Sequence, residues 1–490
     1  MSDSVMSDSG ETASARLKAI APTAAAIFGA ALVLALPALW NGFPLLYWDS
    51  ADYIAMPFTL SMPPFRTATY VTVTLFGKLS GTLWTVVTLQ CLLAAWVLRE
   101  VVDAFAPGRT PVVLPALAAV LTLLTALPWF TGQIMPDAFT GILVLGLGVL
   151  AFGPRQPGAA RRAALVGALT VATAVHTSHI ALGLMLLAVF LALRGAARLW
   201  GDRVWLGARV ALPALVVMLG TLTATAANWW VTGHPFISQP TGNLMLARLV
   251  QDGIAKKYLD AICPAGATFR LCPYRDHLPD SANAFLWLPG PFYEIGGWIP
   301  EVQAESTRIV ADSVLKFPWE HLRNAALLTL AQLFEVNTGD GVIRLDTIYL
   351  NESVDKNPFI PKILRADYPD SLPAYWRSRQ RTGIDFAGLN RFQAPLALAG
   401  YAGVIGLLVW AVRRRERLSA GLALVAVLAI LGNAFVCGAL SNPNHRYQAR
   451  IAWICLVVTG LGAARLWRAT GQGSSGDPAR VREAGSSPQP

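Results

Sequence analysis

Residues 41–66 read NGFPLLYWDSADYIAMPFTLSMPPFR and follow directly on an apolar run that is long enough to cross a bilayer. The stretch carries two carboxylates, Asp49 and Asp52, and it closes with Arg66. Acidic groups at a membrane boundary are costly to desolvate, so they are usually retained for a purpose. We therefore interpret this loop, placed just outside the membrane, as the centre around which the chain is organised.

The composition is that of an integral membrane protein. Apolar residues make up 54% of the 490 residues, charged residues only 14%, and the mean hydropathy is +0.48. A soluble domain carries about 25% charged residues. The first apolar run, residues 20–40, exceeds the ~7–15 residues of a signal-peptide core, so it predicts a retained span. The net charge of +10 lies mostly in short loops and at span ends, which argues against a nucleic-acid partner.

Successive apolar runs predict an all-α polytopic membrane protein with about ten transmembrane helices. Basic residues flank alternate ends of the runs, and the positive-inside rule then places both termini in the cytoplasm. We expect the membrane to be the plasma membrane, the inner membrane of a bacterium. The predicted segments are a disordered cytoplasmic tail at 1–19, a seven-span core at 20–232 with its first outer loop at 41–80, a large extracytoplasmic loop domain at 233–391, three helices at 392–468, and a disordered cytoplasmic tail at 469–490.

Residues 163–193 are apolar but have arginines at both ends, so both ends are expected on the cytoplasmic side. The run is too long for one span and short for two full ones. We predict two short helices that meet at His176-Thr177-Ser178-His179, because a polar break at that depth is tolerated only where it lines a cavity inside the protein. One long tilted helix is the alternative, and it would invert the topology of everything after it.

Two of the five cysteines lie in the long polar segment. An extracytoplasmic location favours a disulfide between Cys263 and Cys272 over two free thiols. Cys91, Cys437 and Cys455 lie in apolar runs, where we expect small buried side chains. No Cys/His spacing resembles a zinc site.

The predicted topology collects polar side chains on the outer side of the membrane. Asp137 follows Pro136 at the start of the fourth span, which suits a helix N-terminus. A carboxylate can act as a base toward a hydroxyl, and arginine or histidine can hold a phosphate that leaves with negative charge. The candidate catalytic residues are Asp49, Asp137 and Asp52, and the candidate substrate-binding residues are Arg66, His176, His179, His445, Arg446 and Arg450.

These residues resemble those of the GT-C superfamily of integral-membrane glycosyltransferases. Its members share a first span followed by an outer loop with an acidic motif, and the run from Asp49 to Tyr53 keeps the Asp and the Tyr four positions later. Ser50 stands where a second acid is common. Asp137 fits a second carboxylate near the start of the fourth span, and the seven-span core and the large outer loop are similar too.

The resemblance implies an inverting enzyme that moves a sugar from a polyprenyl-phosphate carrier to a hydroxyl of a lipid, glycan or protein. Asp49 would be the base, and Asp137 would position the acceptor or the donor. Arg446, helped by Arg66 or His445, would hold the phosphate. No cofactor is certain, and the departure at the second acid leaves a divalent metal as an open alternative.

Plainer interpretations stay open for each of these residues. The acids could cap helices or pair with Arg66, and the histidines could be satisfied polar groups within the bundle. Three other functions also remain. A transferase resembling the O-antigen ligases would use arginine and histidine on a pyrophosphate donor, with His321 of the large outer loop as a candidate. A lipid flippase or scramblase, or a membrane assembly protein, would carry out no chemistry.

Overall fold

The structure is a computed structural model, and it describes residues 3–63, 66–154, 157–201, 205–239, 241–342 and 359–473. These residues form helices and no β-strand, with one isolated bridge between Leu45 and Gln133. The first ten helices are α1 (Asp3–Asn41), α2 (Ser50–Thr59), α3 (Val71–Ser80), α4 (Trp84–Phe105), α5 (Thr110–Leu124), α6 (Leu127–Thr131), α7 (Phe139–Phe152), α8 (Ala159–Ala174), α9 (Thr177–Trp200) and α10 (Ala211–Thr232).

The second half of the chain continues with shorter helices and then three long ones. They are α11 (Thr241–Gln251), α12 (Ile254–Ile262), α13 (Ala282–Trp287), α14 (Pro291–Glu294), α15 (Pro300–Lys316), α16 (Pro318–Phe334), α17 (Phe359–Asp367), α18 (Leu372–Arg377), α19 (Arg379–Thr382), α20 (Ala387–Arg413), α21 (Arg417–Ala434) and α22 (His445–Gly473). A π-helical turn, Phe435–Ala439, extends α21.

Within the described part of the chain, seven helices are long and apolar enough to cross a membrane. They are α1 from Ala21 onward, α4, α9, α10, α20, α21 with its extension, and α22 as far as Arg468. The other three of the ten expected spans fall on the shorter helices α5, α7 and α8. The chain is therefore an all-α polytopic membrane protein, as the apolar runs predict.

The apolar run at 163–193 forms two helices. α8 ends at Ala174 and α9 begins at Thr177, with His176 in an extended conformation between them. The predicted break is confirmed, and the alternative of one long helix is wrong. The two helices pack against each other, and of the polar residues at the break His179 is fully buried while His176, Thr177 and Ser178 are partly buried.

The central helix is α7, which is buried at every one of its 14 positions. Glycines let its neighbours approach it closely. A Cβ on Gly141 would lie 2.4 Å from the Trp453 ring of α22, and one on Gly146 would lie 2.4 Å from Leu169 of α8. The start of α7, where Asp137 lies, is therefore enclosed by other helices.

The segment between α10 and α20, expected as one loop domain, is divided. Helices α11–α15 pack around a separate small core that includes Leu246 and Phe285. A disulfide joins Cys263 to Cys272 in this part, which is the pairing that the sequence favours. Helix α16 packs instead on α21 and α22, and Tyr375 of α18 belongs to the main core.

Both terminal helices are longer than expected. Residues 3–19, predicted to be disordered, continue α1, and α22 continues to Gly473. Adding residues to an existing helix gains one hydrogen bond per residue without the cost of nucleation, and this explains the difference. Residues 1–2 and 474–490 of the two predicted tails lie outside the described residues.

Candidate active site

The acidic loop leaves α1 at Asn41 and is fixed to the turn that precedes α7. Gly42 turns the chain with a φ of +80°, a conformation that residues with a Cβ rarely adopt. The Leu45 amide donates to the Gly132 carbonyl, and the Leu45 carbonyl accepts from the Ile134 amide, each at 2.9 Å. These bonds hold the start of α2 beside the start of α7.

Asp49 and Asp52 share one guanidinium. Arg66 donates from Nη2 to Asp49 Oδ1 and from Nε to Asp52 Oδ2, the second at 3.1 Å. The exposed fractions are 17% for Asp49, 30% for Asp52 and 16% for Arg66. Burial raises the pKa of Asp52 above its ordinary value, although Arg66 acts in the opposite sense. The loop thus presents two partly exposed carboxylates to one cation that is also partly exposed.

Arg446 reaches the same loop from the first turn of α22. Its Nη1 lies 3.6 Å from Asp49 Oδ2. Its Cζ lies 4.2 Å from the centre of the Tyr47 ring and 5.0 Å from that of Tyr447. Aromatic faces attract a cation without accepting its in-plane N–H groups. The guanidinium is therefore held in position while its edge stays available for hydrogen bonds.

One turn further along α22, Arg450 pairs with Asp137. Arg450 Nη1 donates to Asp137 Oδ1 at 3.0 Å, and both side chains are almost wholly buried. Arg450 Nη2 donates to Ser178 Oγ and Asn433 Oδ1, each at 3.0 Å. A buried ion pair is tolerated only when further hydrogen bonds compensate for the lost hydration, and α9 and α21 supply them here. We call Asp49, Asp52, Arg66, Asp137, Arg446 and Arg450 the acid–arginine cluster.

His176 joins this cluster through a serine. Its Nδ1 accepts from the Ser178 amide at 3.2 Å, so a neutral ring carries its proton on Nε2. Ser178 Oγ, which accepts from Arg450, lies 2.8 Å from the same Nδ1 and can donate to it. Arg450, acting through Ser178, thereby fixes the tautomer of His176 that has its proton on Nε2.

The other two predicted substrate-binding histidines have their rings bonded elsewhere. His179 Nδ1 lies 2.8 Å from the Ala172 carbonyl, and its Nε2 lies 2.7 Å from Thr140 Oγ1. His445 Nδ1 lies 2.7 Å from Glu335 Oε2, in the loop after α16. The structure thus gives His179 a place at the end of α8. It joins His445 to the segment between α10 and α20, which we call the outer segment because the sequence predicts it outside the membrane.

Several buried polar atoms of the cluster have no hydrogen-bond partner among the described residues. They are Asp137 Oδ2, Arg446 Nε, Arg446 Nη1 and Arg450 Nε. An unsatisfied buried polar group costs about 1–3 kcal/mol, and a charged group costs more. Their concentration in one place indicates that the cluster can bind a ligand that has both anionic oxygens and hydroxyl groups.

Among the described residues, protein side chains alone do not assemble a site for a divalent metal. Within the described ranges, no three His, Cys, Asp or Glu side chains come together. The two loop carboxylates are instead bridged by Arg66, whereas a hard divalent cation needs several oxygen ligands around it. We therefore derive the chemistry of the site from the side chains alone.

Sequence reasoning did not single out three residues that contact the arginines, namely Tyr47, Ser178 and Asn433. Asn433 carried a usable signal, because an amide inside an apolar span is costly unless it is bonded. Tyr47 and Ser178 carried none beyond their closeness in the chain to predicted site residues.

The acid–arginine cluster combines four distant parts of the chain: the acidic loop, the start of α7, the α8–α9 break and the start of α22. Comparisons with protein-family models, with curated proteins and with solved structures find no match to this chain. The function is therefore inferred from the geometry of the cluster.

Proposed function

We propose that this chain is a membrane glycosyltransferase of the GT-C type, which transfers a sugar from polyprenyl phosphate to a hydroxyl acceptor. One observation carries the proposal. Asp49, a partly exposed carboxylate, lies 3.6 Å from Arg446, a buried guanidinium with two nitrogens that lack a hydrogen bond among the described residues. A glycosyl phosphate needs a cation at its leaving group, and the acceptor needs a base.

Arg446 is the phosphate-binding group in this proposal. A guanidinium offers donors in a rigid fork that matches two phosphate oxygens, which a lysine cannot do. The Tyr47 and Tyr447 rings pack on the guanidinium and reduce the freedom that binding must remove. Arg450 adds positive charge one turn away.

Asp49 is the base. Its carboxylate takes the proton of the acceptor hydroxyl while the hydroxyl oxygen forms a bond to the anomeric carbon of the sugar. The bond between that carbon and the phosphate oxygen breaks, and the phosphate leaves with the electron pair. Attack from the side opposite the phosphate inverts the anomeric centre. Phosphate is a good leaving group, so no general acid is needed.

Asp137 has a supporting role. Its Oδ1 is bonded to Arg450, and its Oδ2 has no bonded partner among the described residues, so Oδ2 can accept from a sugar hydroxyl. Asp52, more exposed and bound to the same arginine as Asp49, lies where the acceptor would enter. His176 presents Nε2–H beside these groups as a further donor.

The proposed setting is the extracytoplasmic face of the plasma membrane, the inner membrane of a bacterium, with about ten spans and both termini in the cytoplasm. Support comes from the opposite ends of the helices. Arg413 ends α20 and Arg417 begins α21, with Arg414 and Arg415 between them, and the other end of α21 supplies Asn433 to the cluster. Basic residues of this kind stay on the cytoplasmic side. The acceptor is a lipid, a glycan or a protein.

The test is sugar transfer in proteoliposomes that contain a panel of polyprenyl-phosphate sugars, measured as released polyprenyl phosphate. Removing a general base typically slows a reaction about 10²–10⁴-fold, so Asp49→Asn should reduce turnover by at least about a hundredfold. Asp280→Asn, at an exposed position of the outer segment, is the matched control and should turn over normally.

Unchanged turnover in Asp49→Asn would remove the proposed base. A variant His321→Ala that loses activity while Asp49→Asn keeps it would favour the ligase-like alternative. Binding of the donor by the wild type without any release of polyprenyl phosphate would favour a carrier or an assembly protein.

A further inference from the structure

Two buried glutamines of the outer segment each hold a loop that leads into the acid–arginine cluster. Gln332, near the end of α16, donates from Nε2 to the Asn444 carbonyl and accepts at Oε1 from the Asn444 amide, both at 2.9 Å. Gln380, in α19, accepts from the Leu46 amide at 3.0 Å and donates to the Leu46 carbonyl. Both glutamines are at most 3% exposed.

The clamped residues lie next to the functional ones. Leu46 directly precedes Tyr47 in the acidic loop and lies three positions before Asp49, and Asn444 lies two positions before Arg446. Neither Leu46 nor Asn444 belongs to a helix. Neither residue therefore has the full set of backbone bonds that a helix provides, and each glutamine bonds to both the N–H and the C=O of its residue.

An amide side chain suits this role because it presents one donor and one acceptor side by side. It can therefore bond to the N–H and the C=O of a single residue, as a neighbouring strand would. Removal of Gln380 leaves both the N–H and the C=O of the buried Leu46 without these partners, whereas removal of Gln332 leaves the Asn444 N–H without one, since the Asn444 carbonyl also accepts from the Tyr447 amide at 3.1 Å. The backbone would then move to find other partners.

Further bonds from the outer segment reach the start of α22. Arg248 of α11 donates to Asn442 Oδ1 at 2.8 Å, and Asp340 Oδ2 accepts from the Arg446 amide at 3.0 Å. The loop before α22 is thus held mainly by residues that precede it by a hundred positions or more. Among the described residues, Gln332 alone bonds to both the N–H and the C=O of one residue of this loop.

We propose that Gln332 and Gln380 are positioning residues that together set the distance between Arg446 and Asp49. Gln380 fixes the carboxylate side, and Gln332 fixes the guanidinium side. The role of the two glutamines in holding the backbone does not depend on the proposed function, whereas their effect on ligand binding rests on it.

The role of the glutamines in holding the two loops is tested by hydrogen–deuterium exchange of the purified full chain in detergent. Gln332→Met, which keeps the shape and removes the amide, should speed exchange in residues 441–447 and leave 43–50 unchanged. Gln380→Met should show the reverse. Gln251→Met is the matched control, because Gln251 accepts from the Ala282 amide at 2.9 Å and bonds to neither loop. Wild-type exchange of both loops in both variants would overturn the proposal.

The effect of the glutamines on ligand binding is tested with farnesyl methyl phosphate. This phosphodiester mimics the lipid end of the donor and carries one constant negative charge. Calorimetry should show binding weakened about tenfold in Gln332→Met and in Gln380→Met. If Arg446→Gln weakens binding but both methionine variants bind like the wild type, the positioning role is wrong. If the wild type does not bind the probe, or if Arg446→Gln binds equally well, the proposed function fails and the exchange result still decides whether the glutamines hold the two loops.

A conservative variant provides a readout that loss of packing would not give. In Gln332→Glu, the ionised carboxylate cannot donate to the Asn444 carbonyl, but the protonated carboxyl restores both a donor and an acceptor. Because burial raises the pKa of a carboxyl, binding relative to the wild type should recover as the pH falls from about 8 to about 5. A ratio that stays constant over this range would overturn the role of Gln332, even if the methionine variants do not fold.

Discussion

The two ends of α22 hold their arginines in different ways. At the start, Arg446 and Arg450 belong to the acid–arginine cluster, in which buried donors and an acceptor have no bonded partner among the described residues. Near the end, Arg465 donates to Glu416 Oε1 at 3.2 Å and to the Phe105 carbonyl at 3.4 Å. At 1.5 Å per residue, Arg465 lies about 22 Å along the helix from Arg450.

A second ion-pair network near that far end has partners for both oxygens of each carboxylate, although its Arg99 Nε has no bonded partner among the described residues. Arg161 of α8 donates to both oxygens of Glu100, each at 2.6 Å, and its Nη2 also donates to Asp103 at 2.8 Å. Thr110 donates to the other oxygen of Asp103 at 3.1 Å. Both oxygens of each carboxylate in this network are therefore bonded, whereas Asp137 has one bonded oxygen among the described residues.

The difference separates a structural network from a candidate binding site. A network in which each carboxylate oxygen has a partner joins α4 to α8 through side chains. A network that keeps buried hydrogen-bonding groups unused costs stability, and such costs are retained where a ligand binds. The same residue types thus serve two purposes in one helical bundle.

The largest expected effect concerns the buried pair. Arg450→Gln leaves Asp137 as a buried carboxylate without its cation, and breaking such a pair costs about 3–5 kcal/mol of the free energy of unfolding. Denaturant unfolding in detergent measures the loss. Arg465→Gln is the control at the other end of the helix, where the pair is partly exposed and should cost about 1 kcal/mol or less.

The double variant Arg450→Gln with Asp137→Asn sharpens this result. It removes both charges, so it should regain much of the stability that Arg450→Gln loses. A double variant that is no more stable than the single one would show that Arg450 acts through its bonds to Ser178 and Asn433 and that the ion pair contributes little.

A smaller effect separates binding from stability. Arg446→Gln should weaken the binding of farnesyl methyl phosphate about ten- to a hundredfold, the range for loss of a hydrogen bond to a charged group. Arg161→Gln should lower the unfolding temperature, because Glu100 is buried, and leave binding unchanged. If Arg161→Gln stays folded and weakens binding as strongly as Arg446→Gln does, the contrast between a binding site at one end of the bundle and a structural network at the other is wrong.

Much of the fold could be predicted from the sequence because apolar runs and helix breaks are local properties. The break at His176 and the helical nature of the whole chain follow from such patterns. The helix at residues 3–19 was not predicted, because the composition of these residues indicates disorder, whereas in the structure they continue the neighbouring helix. The division of the segment 233–391 was also missed, since its apolar periodicity is weak and its packing depends on distant partners.

The candidate site was predictable in its charged residues and not in its connections. The positive-inside rule and the span count placed Asp49, Asp137 and Arg446 on one side, and the structure brings them together. The partners of His445 and the clamp by Gln332 join residues about a hundred positions apart. No local pattern encodes a contact of that kind, because it arises only when α16 packs against α22.

The smallest expected effect tests the exposed rim of the cluster against its buried interior. The folded pKa of Asp52 is raised above its ordinary value of 3.8, mainly by burial, so the folded protein holds this proton more tightly than the unfolded chain does. The contribution to stability is therefore complete below the unfolded pKa and is lost as the pH rises through the folded pKa. Relative to Asp52→Asn, the wild type should lose free energy of unfolding as the pH increases from about 3.9.

Unfolding of the two proteins across this pH range measures the effect. If the wild type instead gains stability over Asp52→Asn as the pH rises, then Arg66 outweighs burial at this position. Asp52 would then resemble the closed carboxylates near the far end of the bundle, and it could not be the residue that meets an incoming acceptor.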